Sequence, residues 1–120
     1  MRRIAIVGSG QGGLQLGFGL LSHGYAVTLY SDRTPEQWLN NSRPNGTAFL
    51  FDQAMQNERD LGLNLWEESA PDGEGIHLTF LQEVGEISLI VSGPLDKPGQ
   101  AVDQRLKFSG WLKEFETRGG

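Results

Sequence analysis

Cysteine is absent from this chain of 120 residues. Its absence excludes disulfides, thiolate nucleophiles and cysteine-ligated metal sites, and it fits a reducing cytoplasm. Histidine is scarce as well, with only His23 and His77, and neither lies in a pattern that predicts a catalytic or metal-binding partner. We therefore expect no metal site and assign no catalytic residue from the sequence.

Basic residues are outnumbered, since ten Lys and Arg face fifteen Asp and Glu for a net charge of -5. This balance does not favour binding to nucleic acid or to an anionic membrane, so a bound phosphate would be held by backbone amides or by one or two arginines. Apolar runs are short, because none approaches the roughly 18 to 20 residues that cross a bilayer. The start of the chain lacks the pattern of a signal peptide. We expect a soluble, cytoplasmic protein.

The first thirty residues predict a parallel βαβ unit. The apolar run at residues 3–7, RIAIV, predicts a buried strand. From Leu14 the apolar positions keep helical spacing, and Gly24 supplies a stop after His23. The run AVTLY at residues 26–30 predicts a second strand, which completes the unit.

The stretch GSGQGG lies between the first strand and the helix and fits the pattern G-x-G-x-x-G. Gly8 would allow the tight turn, Gly10 would let a pyrophosphate approach the backbone, and Gly13 would let helix and strand pack closely. The anion would lie at the helix N-terminus. The alternative is a glycine turn that serves packing only. The predicted phosphate-binding residues are Gly8, Ser9, Gly10, Gln11, Gly12 and Gly13.

The end of the second strand carries a less regular signal. An acidic residue that binds ribose is expected about eighteen residues after Gly13, which falls on Ser31, with Asp32 one place later. Asp32 would reach the ribose if the strand end bulges, Ser31 would do so with its hydroxyl, or Arg33 would bind a phosphate. Asp32 as a simple turn residue is the remaining alternative. Phosphate-loop ATPases are excluded, since G-K-[ST] does not follow the glycines.

The rest of the chain predicts helices and one antiparallel ribbon. Thr34 and Gln37 form a capping box at a short helix, and a second helix is predicted from about Ala48 to Leu61. Residues 76–81 and 87–91 predict the ribbon, and the closing helix is predicted for residues 101–118. We predict an α/β fold, a Rossmann-like βαβ unit with an added antiparallel β-ribbon.

A doubly wound sheet needs a third parallel strand, which would begin where this chain stops. The sheet is therefore expected to be incomplete and residues 1–120 to be a fragment without an internal domain boundary. A compact domain that is complete in itself is the alternative. Within the predicted helices, the charged run Glu58, Arg59 and Asp60 predicts a solvated face, and Trp38, Trp66 and Trp111 are interpreted as core or subunit-contact residues.

The chain opens with RRIAIVGSGQGGLQLGFGLLSHGYAVTLYSDRTP, continues through FDQAMQNERDLGLNLWEE and closes with AVDQRLKFSGWLKEFETRGG. Together these segments resemble the N-terminal part of the flavin-dependent styrene and indole monooxygenases. The resemblance covers nearly the whole chain and is weakest in residues 69–93. The glycine loop is shared with many FAD and NAD proteins, whereas DQAMQNERDLGLNLW and VDQRL are more particular to this family.

The resemblance implies that the chain is the FAD-binding part of a two-component monooxygenase. A separate reductase would supply reduced FAD, and dioxygen would be used to epoxidise or hydroxylate a small apolar aromatic substrate. The loop from Gly8 to Gly13 would then hold the ADP pyrophosphate, and the segment Ser31–Arg33 the adenosine end. Arg105 would bind the FAD phosphates or the ribityl region, unless it is only a surface ion-pair partner.

The resemblance also places cofactor contacts in the loop SRPNG, at residues 42–46. Arg43 is predicted to bind the cofactor, and Asn45 and Gly46 compete for a position near the isoalloxazine. Two other functions remain open. One is an NAD-binding dehydrogenase domain, and the other is a non-catalytic Rossmann module whose exposed sheet edge serves in assembly as a homodimer.

Overall fold

The computed structural model describes residues 1–40 and 46–120. Helices and strands alternate at first and are followed by a long hairpin and a closing helix. In chain order the elements are β1 (Arg3–Val7), α1 (Gln11–Ser22), β2 (Ala26–Tyr30), α2 (Pro35–Asn40), β3 (Thr47–Leu50), α3 (Asp52–Asp60), β4 (Asp72–Leu81), β5 (Ile87–Asp103) and α4 (Gln104–Thr117).

The N-terminal unit is the predicted βαβ unit. β1 and β2 pair in parallel, with Arg3 opposite Ala26 and Val7 opposite Tyr30. α1 connects them and is followed by Gly24, whose φ of 79° is the left-handed conformation that ends a helix. The prediction of a Rossmann-like βαβ unit is confirmed. In the described part of the chain, this parallel sheet has the order β1-β2.

The second sheet is antiparallel, with strand order β3-β5-β4. The ribbon predicted at residues 76–81 and 87–91 is confirmed, but both strands are longer at the end away from the connecting turn, because β4 begins at Asp72 and β5 continues to Asp103. An irregularity in the register between Gly73 and Gly75 lets β5 run through its proline- and glycine-rich residues 94–99. The ribbon contributes to an elongated shape of 58 × 32 × 24 Å.

Two predicted helices begin too early in the sequence-based prediction. Residues Thr47–Leu50 form β3, although the sequence predicted a helix from about Ala48, and residues 101–103 belong to β5 instead of the closing helix. The two segments pair with each other, from Thr47 opposite Asp103 to Leu50 opposite Gln100. The strands form backbone hydrogen bonds with each other although they lie about fifty residues apart in the sequence. These bonds outweigh the helical pattern of the local sequence.

Phe49 supports this pairing with its side chain. Its ring lies over Gly73 and Gly99, which are register partners in β4 and β5. A Cβ atom at Gly73 would lie 2.7 Å from the ring of Phe49, and one at Gly99 would overlap it. The two glycines therefore leave the space in which the aromatic ring covers the three-stranded sheet.

The core lies where α1, α2 and α4 meet the parallel sheet. α1 and α4 approach closely at Gly17, where a Cβ atom would lie 2.8 Å from the ring of Phe115. The interpretation of the tryptophans as core residues is confirmed, since Trp38 and Trp111 are buried and Trp66 packs against the same cluster. The buried residues of this cluster are Ile6, Leu14, Phe18, Val27, Trp38, Leu63, Phe108, Trp111, Leu112 and Phe115.

A buried ion pair joins α3 to α4. The charged run at residues 58–60 was predicted to be solvated, and this is wrong for Glu58, whose side chain is 0% exposed, as is that of Lys107. The Nζ atom of Lys107 lies 2.5 Å from Oε1 of Glu58 and 4.6 Å from the ring centroid of Trp111. Burial raises the pKa of the Glu58 carboxyl, while the hydrogen bond and charge of Lys107 oppose that rise.

Arg118 holds the ends of the same two helices together. Its guanidinium donates to the carbonyl oxygens of Leu61, at 2.7 Å, and Gly62, at 2.8 Å. It also pairs with Glu114 one turn earlier in α4, at 2.7 Å. A cation at these carbonyls satisfies acceptors that the C-terminus of α3 leaves without a helical donor.

Candidate functional site

The glycine loop makes a sharp turn at the carboxyl end of β1. Gly8 has φ of 110°, a conformation that residues with a side chain rarely adopt. Its N–H donates to the carbonyl oxygen of Tyr30 at 2.9 Å. The turn is therefore fixed against the end of β2, and the loop leads directly into α1.

Gly13 lies where the first turn of α1 passes closest to this loop. A Cβ atom at Gly13 would overlap the carbonyl oxygen of Gly8 and would lie 3.5 Å from Cγ2 of Ile6. At Gly10 and Gly12, by contrast, a Cβ atom would meet no atom of the described residues within 4 Å. The first and third glycines thus shape the loop, and the backbone at Gly10 borders open space.

The N-terminus of α1 faces this open space. Gly10 is its N-cap, and no side chain among the described residues caps it. The first turn, Gln11–Leu14, contains no acidic residue. The first amides of a helix lack acceptors within the helix and carry its positive dipole end, so this terminus suits an anion.

Two serine hydroxyls connect the loop to the segment that follows β2. Ser9 is buried, at 4% exposure, and its Oγ lies 2.6 Å from Oγ of Ser31. The Ser31 hydroxyl donates to the carbonyl oxygen of Arg33 at 2.6 Å and accepts from the N–H of Arg33 at 3.2 Å. The structure therefore brings residues 31–33 to the glycine loop.

Asp32 and Arg33 border a cleft of about 640 Å³. The Asp32 side chain is 80% exposed, and its Oδ2 lies 3.8 Å from Nε of Arg33. The Arg33 guanidinium lies 4.6 Å from the ring centroid of Trp38. The cleft runs from these residues to Leu112 and Phe115 of α4. An exposed carboxylate can accept hydrogen bonds from the ribose hydroxyls of a nucleotide, and the adjacent guanidinium can bind a phosphate.

Arg105 is engaged in a different place, at the start of α4. Asp103 is the N-cap of this helix, and its Oδ1 accepts from the backbone N–H of Arg105 at 2.8 Å. The guanidinium of Arg105 also donates to this carboxylate, from Nε to Oδ1 at 3.2 Å and from Nη2 to Oδ2 at 2.8 Å. These bonds lower the pKa of the Asp103 carboxyl and raise that of Arg105. Arg43, which was predicted to bind the cofactor, lies outside the described residues, as does Asn45, which competed with Gly46 for the position near the isoalloxazine.

Replacement of Asp103 with Ala is expected to reduce the free energy of unfolding by about 1 kcal/mol at neutral pH, the usual cost of a lost N-cap. The bonds from Arg105 make the pKa of Asp103 lower in the folded than in the unfolded chain. The Asp103 side chain therefore contributes to the free energy of unfolding at pH values above its unfolded pKa of about 3.9, and this contribution is lost as the pH falls through its folded pKa. Urea unfolding between pH 7 and pH 3 measures this. An equal loss in Asp96→Ala, an exposed strand residue, would contradict the assignment.

The hydroxyl bond between Ser9 and Ser31 was missed by the sequence analysis. Both serines were assigned to the cofactor site, but each was assigned as a direct ligand. The two residues are 22 positions apart. Their only shared signal is that each follows the end of a neighbouring parallel strand, and strand ends of this kind meet at one edge of a sheet.

The sequence of this chain is similar to that of known proteins. The chain is 34% identical over 119 residues to the styrene monooxygenase StyA of Pseudomonas fluorescens, across 99% of this chain and 28% of that protein. The identity, length and coverage are the same for StyA of a further Pseudomonas species. The chain is therefore similar to an N-terminal part of the styrene monooxygenases. The resemblance read from the sequence is thereby confirmed.

The match to styrene monooxygenase spans about 28% of the length of those relatives. No family model matches the sequence. Among solved structures, the chain is similar to a peptidyl tryptophan dihydroxylase, QhpG, essential for tryptophylquinone cofactor biogenesis. The TM-score is 0.53 at 22% identity, across 99% of this chain and 23% of that protein. This likeness supports the partial Rossmann-like fold. None of the described helices has the length and apolar character that a membrane span requires.

Proposed function

We propose that this chain is the FAD-binding part of a flavin-dependent monooxygenase of the styrene monooxygenase type. The observation that carries the proposal is the steric pattern of the glycine loop. Gly8 has a positive φ, Gly13 has no room for a side chain, and Gly10 borders open space at the start of α1. A loop built this way suits the close approach of a pyrophosphate to backbone amides.

The end of β2 supports an adenosine site. Asp32 is exposed next to the glycine loop and its carboxylate is an acceptor for ribose hydroxyls. Arg33 supplies a cation beside it. Arg105 remains a proposed contact to the FAD phosphates, since its bonds to Asp103 use Nε and Nη2 and leave other N–H groups of the guanidinium. Arg43 remains a proposed contact from the sequence.

The chemistry of the whole protein is proposed from its relatives, which are named styrene monooxygenases. Reduced FAD supplies the electrons with which dioxygen is activated, and this chain binds and orients the ADP portion of that cofactor. We propose a separate flavin reductase as the partner that delivers reduced FAD, a small apolar aromatic compound as the substrate, and the cytoplasm as the location.

The proposal is tested by titrating the chain with oxidised FAD and, separately, with NAD while tryptophan fluorescence is recorded. We expect saturable quenching by FAD and a much weaker response to NAD. The variant Gly10→Val is expected to lose about tenfold or more in FAD affinity, because its side chain fills the space that the pyrophosphate would occupy.

The control for this titration is Gly19→Ala. Gly19 lies later in α1, and a Cβ atom there meets none of the described atoms within 4 Å. This variant should bind FAD as the parent chain does. Selective saturation by NAD would favour a dehydrogenase domain instead, and unchanged FAD affinity in a folded Gly10→Val variant would remove the proposed role of the loop.

A second proposal, homodimer formation, is favoured by the hairpin. Among the described strands, β4 lies at an edge of its sheet. One face of the hairpin carries the register pairs Leu78 with Val91 and Phe80 with Leu89, and these four side chains are each about half exposed. An open strand edge with an apolar face is suited to pairing with a second copy.

Light scattering after gel filtration tests the homodimer. We expect the parent chain to be a dimer and Phe80→Lys to shift it toward the monomer, because a charge on this face opposes burial. His77→Lys on the opposite face of β4 is the matched control and should leave the dimer intact. A monomeric parent chain would exclude this proposal.

A further inference from the structure

We propose that Ser9 and Ser31 form a positioning pair, in which one hydroxyl bond sets Asp32 and Arg33 in place relative to the glycine loop. This inference rests on the proposed function, since it concerns how the same nucleotide site is held in shape. It assigns both hydroxyls an indirect role and leaves the direct contact with ribose to the Asp32 carboxylate.

The hydroxyl of Ser31 already uses its donor hydrogen and both acceptor lone pairs in hydrogen bonds within the chain. A serine hydroxyl has one donor hydrogen and two acceptor lone pairs. The hydrogen of Ser31 goes to the carbonyl oxygen of Arg33, so the hydrogen in the 2.6 Å bond between the serines comes from Ser9. The oxygen of Ser31 accepts this hydrogen and the N–H of Arg33. No capacity remains for a ribose hydroxyl.

Burial makes the bond from Ser9 a firm one. Ser9 is 4% exposed, so water does not readily replace Ser31 as its partner. The neighbouring residue, Gly8, donates to the carbonyl oxygen of Tyr30. Two consecutive residues of the loop are thus bonded to two consecutive residues at the end of β2, one pair through backbone and the other through side chains.

This arrangement makes the position of residues 31–33 depend on the loop. The backbone of Arg33 is bonded to Ser31 through both its carbonyl and its N–H, and the Arg33 guanidinium rests on the Trp38 ring. Asp32 lies between these two anchored residues while its own side chain is 80% exposed. The carboxylate therefore projects toward solvent from a backbone that the serine pair holds.

The pair is tested by measuring ADP binding calorimetrically in four chains: the parent, Ser9→Ala, Ser31→Ala and the double variant. We expect Ser9→Ala to lose about fivefold in ADP affinity, the equivalent of one hydrogen bond, and Ser31→Ala to lose at least as much, since it also removes the two bonds to Arg33. The double variant should lose no more than Ser31→Ala, because that change already removes the bond to Ser9. Ser31→Thr keeps a hydroxyl and should restore most of the affinity.

Inorganic pyrophosphate serves as the second probe, since it occupies the loop without an adenosine. Its affinity should change by less than about twofold in the same variants if the pair acts on residues 31–33. Three results would each overturn the inference. The losses in ADP affinity could add in the double variant, Ser31→Thr could bind ADP as weakly as Ser31→Ala, or the affinity for pyrophosphate could fall as much as that for ADP.

Hydrogen exchange at the Arg33 amide separates this inference from the proposed function. We expect the amide to exchange faster in Ser9→Ala than in the parent chain, although Ser9 does not contact it directly, because the anchored segment loosens. If the parent chain binds no ADP, the proposed function fails, and the exchange rate still decides whether the serine pair holds the segment. An unchanged rate overturns the positioning role.

Discussion

Gly13→Ala is expected to destabilise the fold by about 3 kcal/mol or more, the upper part of the range for overpacking. The added Cβ atom would overlap the carbonyl oxygen of Gly8, which is backbone and is held by a turn with φ of 110°. Relief requires α1 to move away from β1, and that movement opens the contact between Ile6 and the helix. Urea unfolding followed by circular dichroism measures the loss.

Gly12→Ala is the matched control for this prediction. It lies one residue earlier in the same turn of α1, and its Cβ atom meets no described atom within 4 Å. Because alanine in a helix is favoured over glycine, this variant should be unchanged or more stable by about 0.5–1 kcal/mol. Similar losses in both variants would show that the approach of Gly13 to Gly8 does not determine the stability of the loop.

Lys107→Met is expected to cost about 3–5 kcal/mol, since it leaves the buried Glu58 carboxylate without a counter-charge. The double variant Glu58→Leu/Lys107→Met replaces both charges with apolar side chains of similar volume and should recover most of that loss. Both parent side chains are 0% exposed, so solvent screening does not soften the effect. The free energies of unfolding in urea, compared in a double-mutant cycle, measure these losses. A double variant as unstable as Lys107→Met would contradict the prediction.

The same pair predicts a pH dependence with a defined sign. Burial raises the pKa of Glu58, and Lys107 opposes this rise, so removal of Lys107 raises the folded pKa further. When the pKa of a carboxyl is higher in the folded than in the unfolded chain, the group contributes to the free energy of unfolding below its unfolded pKa, which is about 4.3 for Glu. This contribution is lost as the pH rises through the folded pKa. The deficit of Lys107→Met should therefore be smallest at acidic pH.

The parts of the fold that local sequence encodes were predicted well. The capping box at α2 is present, since Gln37 accepts from the Thr34 N–H at 2.8 Å and Thr34 Oγ1 accepts from the Gln37 N–H at 3.2 Å. The βαβ unit likewise depends on neighbouring residues. β3 was missed because its partner, β5, lies about fifty residues away, and Glu58 was misassigned because Lys107, 49 positions on, allows its burial.

The candidate site divides in the same way. The glycine loop could be predicted because its spacing is a local pattern that follows a strand. Ser31, Asp32 and Arg33 could be placed near it by counting, but their separate roles depend on which hydrogen bonds form, and those involve Ser9. For Arg105 the sequence left open a contact to FAD or a surface ion pair, but it did not identify Asp103, two residues earlier, as the partner of that ion pair.

The contact between Arg33 and Trp38 provides the chain with an internal optical reporter. Trp38 is the indole beside the segment that borders the cleft, with the Arg33 guanidinium 4.6 Å from its ring centroid. The other two indoles, Trp66 and Trp111, stack on each other at 6.3 Å, and Trp111 is fully buried. Emission from Trp38 is therefore sensitive to events at residues 31–33, whereas the stacked pair reports on the integrity of the core.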